Sequence, residues 1–155
     1  MQKLLALLLA SGLLAAHAAP DDQSPTALVQ RLFAAMAAHD ANAARALFVP
    51  EAMLFSVRPD GTAVALPHEK WLERMGASKD AWLERIWDPQ QLEHASVAVV
   101  WAQYDFHLNG KFSHCGIDSF SLLKTASGWK IAAVSDTHET SGCSPSPLGP
   151  PAPAK

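Results

Sequence analysis

The sequence predicts an α+β domain in which N-terminal helices pack on one face of a curved antiparallel sheet. The first third of the chain carries apolar residues at helical spacing, whereas residues 96–137 alternate like strands and are interrupted by tight turns. Asn109-Gly110 is typical of a type I′ turn between two strands rich in β-branched and aromatic residues. We therefore expect helices first and a long meander of strands after them.

Residues 1–18 have the layout of a secretory signal peptide. Lys3 precedes an apolar run over residues 4–14, and small residues lead to a cleavage site expected after Ala18 or Ala19. A membrane anchor is the alternative, but this run is short, because a spanning helix needs roughly 20 apolar residues. We expect an exported protein, periplasmic or secreted, without a membrane anchor.

The composition of the remaining chain indicates which classes of partner are excluded and which residues form the folded domain. Loss of residues 1–18 removes one lysine and so makes the formal net charge of −3 more negative by one. No basic run exists, which argues against nucleic acid or an anionic membrane as a partner. Residues 144–155 are rich in proline and hold one large apolar residue, so we expect a disordered tail. The folded domain is then expected over residues 24–143.

Capping residues mark the beginnings of two helices. Ser24 and Pro25 are typical of an N-cap and the first helical position, and Asp40 can cap a second, short helix. Alternating residues at 53–57 and a short apolar stretch at 63–66 then predict a strand and its return strand.

The tetrapeptide WLER occurs twice, and we expect it in two different structures. The first copy belongs to a helix expected over residues 69–75. The second, at 82–85, alternates bulky and polar residues and precedes Pro89, which favours a long strand with a bulge or an edge position at the proline. A helix over residues 79–86 is the alternative.

The register of the central hairpin decides which side chains share a face. If residues 109–110 form the whole loop, Asp105 lies opposite His114 and Trp101 lies opposite Asp118. Side chains of a strand alternate between faces. One predicted face therefore holds Trp101, Gln103, Asp105, His107, Phe112, His114, Asp118 and Phe120, and the other holds Val100, Ala102, Tyr104, Phe106, Cys115 and Ile117.

The first predicted face carries the candidate acid–base chemistry. A carboxylate among aromatic side chains has its pKa raised by desolvation, so Asp118 beside Phe120 and opposite Trp101 is a candidate acid or base. His114 is the second catalytic candidate. The alternative is an Asp118 that is satisfied by a backbone donor or a serine.

The tip of the hairpin holds three residues that could bind a divalent metal, Asp105, His107 and His114. A solvated hairpin tip with a modest Asp–His contact is the simpler explanation. We expect neither a metal nor a cofactor.

The two cysteines predict a disulfide between Cys115 and Cys143, with free thiols as the alternative. Cys115 and His114 point to opposite sides of the sheet, which argues against a nucleophilic Cys–His pair. Cys115 instead faces the side that Cys143 can reach after the last strand. Closing this loop would stabilise the fold by roughly 3–4 kcal/mol.

The last hairpin leaves one register open. The turn at 125–128 can hold three or four loop residues, and this number decides whether Trp129 and Ile131 lie on the same face as Asp118. We expect both side chains to pack on the helices.

Two segments of the chain resemble the nuclear transport factor 2-like superfamily, in particular its small bacterial lumazine-binding-like and SnoaL-like members. The segments are AAMAAHDANAARALFVPEAM and ERIWDPQQLEHASVAVVWAQYDFHLNGKFSHCGIDSFSLLKTASGWKIAAVSDT, and the resemblance extends over about residues 24–143. It implies a cone-like fold in which a strongly bent sheet wraps helices and leaves a pocket at its open end. Similar proteins include isomerases, dehydratases and hydrolases with polar residues on the concave face, and also non-catalytic binding and association domains.

Three functions are compatible with these expectations. The first is an exported domain that binds a small, largely apolar molecule, with Asp118 and His114 as polar anchors. The second is an isomerase, dehydratase or hydrolase in which Asp118 shuttles a proton and His114 or Tyr104 polarises the substrate. The third is an interaction module that pairs two subunits through the outer sheet face, giving a homodimer. No complete catalytic set maps onto the chain, so ligand binding is the expectation. The expected ligand contacts are Trp101, Tyr104, Asp105 and Phe120.

Overall fold

The computed structural model describes residues 23–57 and 60–151, so the expected signal peptide at 1–18 lies outside the described residues. Helices and strands alternate early in the chain, and strands alone follow. In chain order the elements are α1 (Pro25–Ala37), α2 (Ala41–Arg45), β1 (Phe48–Val57), β2 (Ala63–Pro67), α3 (His68–Ala77), β3 (Trp82–His94), β4 (Val97–Leu108), β5 (Lys111–Thr125) and β6 (Gly128–Asp136).

The strands form one curved, open sheet with the order β2-β1-β6-β5-β4-β3. The pair β1 and β6 is parallel, and the other neighbouring strands are antiparallel. Helix α1 packs across β3, β4 and β6, so the helices cover one face. This is the α+β class that the sequence predicts.

The hydrophobic core lies between this inner face and the helices. Val29 of α1 and Leu72 of α3 have no exposed surface. The rings of Phe33 in α1 and Phe120 in β5 pack in an edge-to-face arrangement, with their centroids 6.0 Å apart. Trp129 and Ile131 belong to the same core, as expected. The last hairpin reaches this register with a two-residue loop and a later irregularity in β5–β6 pairing, rather than with the longer loop considered above.

The capping predictions are confirmed. The Ser24 hydroxyl accepts a hydrogen bond from the backbone of Ala27 at 3.1 Å, and the Asp40 carboxylate accepts two from the first turn of α2. Strand β1 begins at Phe48, earlier than the expected residue 53. Pro50 is tolerated inside it because the pairing with β6 is interrupted between Phe48 and Met53, where no ladder donor is needed.

The second WLER segment is a strand, and the helical alternative is wrong. It opens β3, which pairs with β4 over almost its full length. The pairing shifts between Trp87 and Gln90, and Asp88 there has a positive φ of 48°. Pro89 therefore lies in a bulge, where its missing N–H leaves no ladder bond unmade.

The expected hairpin register holds only next to the turn. Leu108 pairs with Lys111 as expected, but Ser113 is an extra residue in β5 and forms a bulge. Beyond it Phe106, not Asp105, lies opposite His114, and every later residue of β5 is displaced by one position.

This one-residue displacement regroups the two faces of the hairpin. His114, Asp118 and Phe120 share the inner face with Tyr104 and Phe106, the residues from which the sequence analysis had separated them. Trp101 and Asp105 lie on the outer face instead, where the Trp101 side chain is 51% exposed. The prediction that these two residues share a face with Asp118 is wrong.

Cys115 and Cys143 form the expected disulfide, with their Cα atoms 6.1 Å apart. Cys115 is on the outer face, opposite to His114, as predicted. A backbone bridge between Cys115 and Glu139 holds the chain beside β5 before it reaches Cys143. In the described part of the chain, no helix is both long enough and apolar enough to cross a bilayer.

Candidate functional site

A cavity of about 450 Å³ lies between the inner sheet face and helices α1 and α3. Most of its wall is apolar, and its polar groups come mainly from the central strands. The apolar lining consists of Leu32, Phe33, Met36, Leu54, Trp71, Trp82, Phe106, Leu108, Phe120 and Val134, and the polar lining consists of Ser78, Asp80, Glu84, Tyr104, His114, Asp118 and Asp136.

Three carboxyl groups meet in one corner of this cavity. Asp118 of β5 and Asp136 of β6 are directly paired across the two strands, and the carboxyl group of Glu84 of β3 lies close enough to that of Asp118 to share a hydrogen bond with it. Two carboxyl groups can bond in this way only if one of them carries a proton. The site therefore has a built-in carboxylic acid beside a carboxylate.

Burial and mutual repulsion keep protons on these groups. Burial, together with the charge of Asp136, raises the pKa of Asp118 to about 7 against the opposing effect of the Glu84 hydrogen bond. The pKa of Glu84 is also raised, by burial and then by the charge of Asp118. Burial likewise raises the pKa of Asp136, although the charge of His138 works against it.

One oxygen of Asp118 lacks a protein donor. The residue is 2% exposed, and its Oδ2 atom is buried without a hydrogen-bond partner among residues 23–57 and 60–151. The sequence alternative, in which a backbone N–H or a serine satisfies this carboxylate, does not hold for Oδ2. An unmade bond to a buried acceptor costs about 1–3 kcal/mol, so this oxygen favours any ligand that donates to it.

Tyr104 stands beside the carboxyl groups as a neutral phenol. Its hydroxyl donates a hydrogen bond of 2.7 Å to the backbone oxygen of Thr137. Burial raises its pKa, and the charges of Asp136 and Asp118 raise it further. The phenol proton is thus held by Thr137, and the oxygen keeps a lone pair that can accept from a ligand.

His114 is held in the cavity wall as a neutral imidazole. Its ring lies 5.0 Å from the Phe106 ring and 3.8 Å from the His138 ring, with which it stacks. Burial, together with the charge of His138, lowers the pKa of His114 to about 4. At neutral pH it can donate or accept a hydrogen bond, but it brings no positive charge.

Asp105 has a structural partner on the outer face. Arg85 of β3 donates two hydrogen bonds to its carboxylate, and a third from Nη1 to the backbone oxygen of Gly149 at 2.9 Å. Burial raises the pKa of Asp105, but the Arg85 guanidinium outweighs it and lowers the pKa below its usual value. His107 lies on this face too, and His114 does not, so these residues cannot converge on one metal ion.

Two residues of the carboxyl corner, Glu84 and Asp136, were not predicted from the sequence. Glu84 shares one face of β3 with Trp82 and Ile86, so a carboxyl group on the apolar face of a strand was the available signal. Asp136 ends the last strand, and only the register with Asp118 brings it into the cavity.

Comparison with known proteins identifies the fold. A family model described as "Putative lumazine-binding" matches residues 20–135. No curated protein matches the chain significantly. The solved structures that resemble it and are described next are 12–16% identical in sequence, so they establish the fold alone.

Three of these structures illustrate the likeness. A nuclear transport factor 2-like protein of unknown function from Shewanella baltica is 16% identical, with a TM-score of 0.59 over 75% of this chain and 91% of that one. A "putative dehydratase" of the same family from Streptomyces avermitilis is 12% identical, with a TM-score of 0.61 over 75% and 94%. A nuclear transport factor 2-like protein with a cystatin-like fold from Novosphingobium aromaticivorans is 12% identical, with a TM-score of 0.61 over 76% and 80%.

Proposed function

Because the chain belongs to the "Putative lumazine-binding" family of the nuclear transport factor 2-like superfamily, we propose that it binds a small, largely apolar molecule in its cavity. The cavity volume of about 450 Å³ is typical of small-molecule sites, which combine apolar walls with a few convergent polar groups. The family description points in the same direction.

The observation that carries the proposal is the Oδ2 atom of Asp118, which has no hydrogen-bond partner among the described residues and belongs to a cavity whose wall is mostly apolar. A ligand with an apolar body and a hydrogen-bond donor fills the enclosure and supplies the missing bond. Aromatic side chains such as Phe33, Trp82 and Phe106 offer flat surfaces to such a body. His114 and Tyr104 offer further polar contacts.

Export is part of the same proposal. The layout of residues 1–18 favours it, and the disulfide between Cys115 and Cys143 is consistent with an oxidising compartment. A protein in that setting meets ligands from outside the cytoplasm.

Fluorescence titration with N-phenyl-1-naphthylamine tests the proposal. This dye is neutral, apolar and carries one N–H, and its emission rises in apolar sites. We expect saturable binding to the wild type and at least tenfold weaker binding to Leu54→Trp, which fills the cavity from β1. Leu123→Trp, the same change at an exposed position of β5, is the control and should leave binding unchanged.

The titration has two outcomes against the proposal. One is the absence of saturable binding to the wild type. The other is equal weakening by both tryptophan variants, since that would place the dye outside the cavity. Native mass spectrometry of protein purified from its source then identifies the natural ligand as a co-purified mass.

An acid–base enzyme is the second candidate. Catalytic acids and bases work best when their pKa lies near the operating pH, and Asp118 meets this condition beside a second carboxyl, Glu84. Proton transfer at such a pair is the chemistry of an isomerase or a dehydratase, with Tyr104 or His114 polarising the substrate. One structural relative is named a "putative dehydratase".

Hydrogen–deuterium exchange into enolisable ketones distinguishes the enzyme from a binding protein. If the site is catalytic, the wild type accelerates exchange in D₂O, followed by proton NMR, and Asp118→Asn loses this acceleration while still binding the dye. A wild type that binds a ketone without accelerating its exchange contradicts the enzyme.

Pairing of two subunits is a further candidate, favoured by an exposed apolar patch on the outer sheet face. Four of its residues are Leu92, Val97, Trp101 and Leu123, and the pairing of Val97 with Leu123 places them on adjoining strands. Native mass spectrometry should then give a dimer for the wild type and a monomer for Trp101→Ser. A wild type that is monomeric at micromolar concentration contradicts this candidate.

A further inference from the structure

We propose that the ligand of this cavity is a protonated primary amine on an aromatic body, whose ammonium group is received by Glu84, Asp118 and Asp136. The inference rests on the proposed binding function and names the chemical class of its ligand. It depends on the charge of the cavity, the number of acceptors in its polar corner and the nature of its walls.

The charge of the lining is one-sided. Among the described residues that line the cavity, four are acidic (Asp80, Glu84, Asp118 and Asp136), and none is lysine or arginine. Above about pH 7 the Glu84–Asp118 pair carries one negative charge while it shares a proton, and Asp136 adds a second when it ionises. A negative potential in an apolar enclosure attracts cations and repels anions.

The groups that face the carboxyl corner do not cancel this charge. Tyr104 and His114 are neutral at physiological pH for the reasons given above. Arg85 lies on the opposite face of the sheet, where its guanidinium group donates two hydrogen bonds to the Asp105 carboxylate.

The remaining charges around the corner are mixed in sign. His138 stacks on His114, and its charge acts to lower the pKa of Asp136. Glu139 and Asp105 add negative potential, at Tyr104 and Glu84 respectively. The walls contributed by α1 and α3 are apolar, with Leu32, Phe33, Met36 and Trp71.

The number of acceptors in the corner suits an ammonium group. The corner offers three carboxyl groups, including the orphaned Oδ2 of Asp118, and the phenol oxygen of Tyr104. An ammonium group has three N–H donors on one atom, and it also removes the repulsion between the carboxylates. A hydroxyl group has one donor and leaves that repulsion in place.

The walls suit the rest of such a ligand. Aromatic rings line the cavity, and an aromatic body of the size of an indole fits a volume of about 450 Å³. Aromatic faces also attract a cation directly when water is excluded. The aromatic residues are Phe33, Trp71, Trp82, Phe106 and Phe120.

Matched amine and alcohol pairs test the inference. Tryptamine is compared with tryptophol, and phenethylamine with 2-phenylethanol, each by displacement of N-phenyl-1-naphthylamine and by calorimetry at pH 8. Within each pair the body is the same and the donor group differs. We expect each amine to bind at least tenfold more tightly than its alcohol, and indole-3-propionate, which carries a negative charge, not to displace the dye.

The pH dependence gives a second readout. Both amines stay protonated up to pH 8, whereas the carboxyl pair gains protons as the pH falls. We therefore expect amine affinity to fall at least fivefold from pH 8 to pH 5.5, while the affinity of the alcohols changes less than twofold. Calorimetry in two buffers of different ionisation enthalpy should show proton release when an amine binds near pH 7.

Asp118→Asn separates charge from shape. It keeps the size of the side chain, and we expect it to reduce the preference for amine over alcohol to less than threefold. Asp60→Asn, at an exposed turn position, should leave the preference unchanged and so controls for the overall charge of the protein.

The outcomes distinguish this inference from the function on which it rests. If the dye binds and the alcohols displace it as well as the amines do, the amine inference is overturned and the binding function stands. The amine inference is likewise overturned if no amine displaces a bound dye. If the dye itself does not bind, the binding function fails and the amine inference fails with it.

Discussion

Among single residues, Asp118 couples the stability of the protein to pH. Its pKa is about 7 in the folded state against 3.8 for the unconstrained group, because burial disfavours the charge. Between these two values the folded state holds a proton that the unfolded state has lost. The unfolding free energy therefore decreases as the pH rises through this window.

Replacing Asp118 with asparagine should stabilise the protein at alkaline pH. The amide cannot ionise, and its NH₂ group can donate to Glu84. A pKa shift of this size corresponds to at most about 4 kcal/mol, and sharing of the proton with Glu84 reduces it, so we expect a gain of about 1–3 kcal/mol at pH 8. Urea unfolding at pH 5 and pH 8 measures the gain, which should be smaller at pH 5.

Glu73→Gln is the matched control for this measurement, because Glu73 is an exposed carboxylate on α3. We expect its unfolding free energy to differ from that of the wild type by less than about 0.5 kcal/mol at either pH. A gain for Asp118→Asn that is equal at pH 5 and pH 8 would contradict the raised pKa.

Gly116 is a residue whose missing side chain makes room for a neighbouring chain segment. A Cβ atom at this position would collide with the backbone oxygen and the side chain of Thr137. That backbone oxygen is the acceptor of the Tyr104 hydroxyl, and Thr137 also bonds twice to Ile117. Gly116 thus lets the segment after β6 lie against β5.

Gly116→Ala should cost about 2–3 kcal/mol of unfolding free energy, because a backbone segment has to move to relieve the clash. It should also weaken dye binding, since Tyr104 loses its fixed position. Ser121→Ala, an exposed position of the same strand, is the control and should cost less than about 0.5 kcal/mol. An alanine variant as stable as the wild type would show that Thr137 can move freely.

At the scale of elements, the bulge at Ser113 decides which residues reach the cavity. The turn at 109–110 specifies the two pairs next to it, and the predicted register continued that pairing along the whole hairpin. One extra residue in β5 moves the later side chains of this strand to the face opposite to the one predicted relative to β4. Nothing in the alternation pattern marks Ser113 as extra, because polar and apolar residues are mixed on both faces of this hairpin.

Deleting Ser113 should preserve the fold. The deletion joins Phe112 to His114 and leaves a regular hairpin in which His114 still faces Phe106. We expect the unfolding free energy to change by less than about 1.5 kcal/mol. Circular dichroism and urea unfolding provide the measurement.

Deletion of Ser119, in the same strand, is the comparison. It turns either Asp118 or Phe120 toward the wrong face and should prevent cooperative folding. Equal tolerance of the two deletions would contradict a register that is specified by the inner face.

The sequence predicted correctly which site residues share a face within a single strand. It did not predict which residues of neighbouring strands lie on the same face, because that depends on how the strands pair. His114, Asp118 and Phe120 alternate within β5, so their common face was correct in the prediction. Trp101 and Asp105 were assigned through the register of β4 against β5, and that assignment was wrong. The helix caps were correct because they depend on adjacent residues alone.

At the scale of the whole molecule, the disulfide holds the segment that follows the sheet. Cys115 and Cys143 are 28 residues apart, and the loop between them includes β6. His138, which stacks on His114, lies in the same loop. The cross-link therefore limits how far the unfolded chain can expand and keeps the wall of the cavity in place.

Replacing both cysteines with serine should lower the unfolding free energy by about 3–4 kcal/mol on the chain-entropy model. Urea unfolding measures the loss, and reduced wild-type protein should show a similar loss. A change of less than about 1 kcal/mol would mean that the unfolded chain is already compact without the cross-link.

The position of Tyr104 makes the cavity accessible to spectroscopy without any mutation. The chain contains a single tyrosine, and that residue lines the cavity. Biosynthetic incorporation of 3-fluorotyrosine therefore gives a protein with one fluorine environment, placed beside the carboxyl corner. Its ¹⁹F resonance reports occupancy, protonation and exchange of the bound molecule directly, so the protein carries its own reporter for whatever it binds.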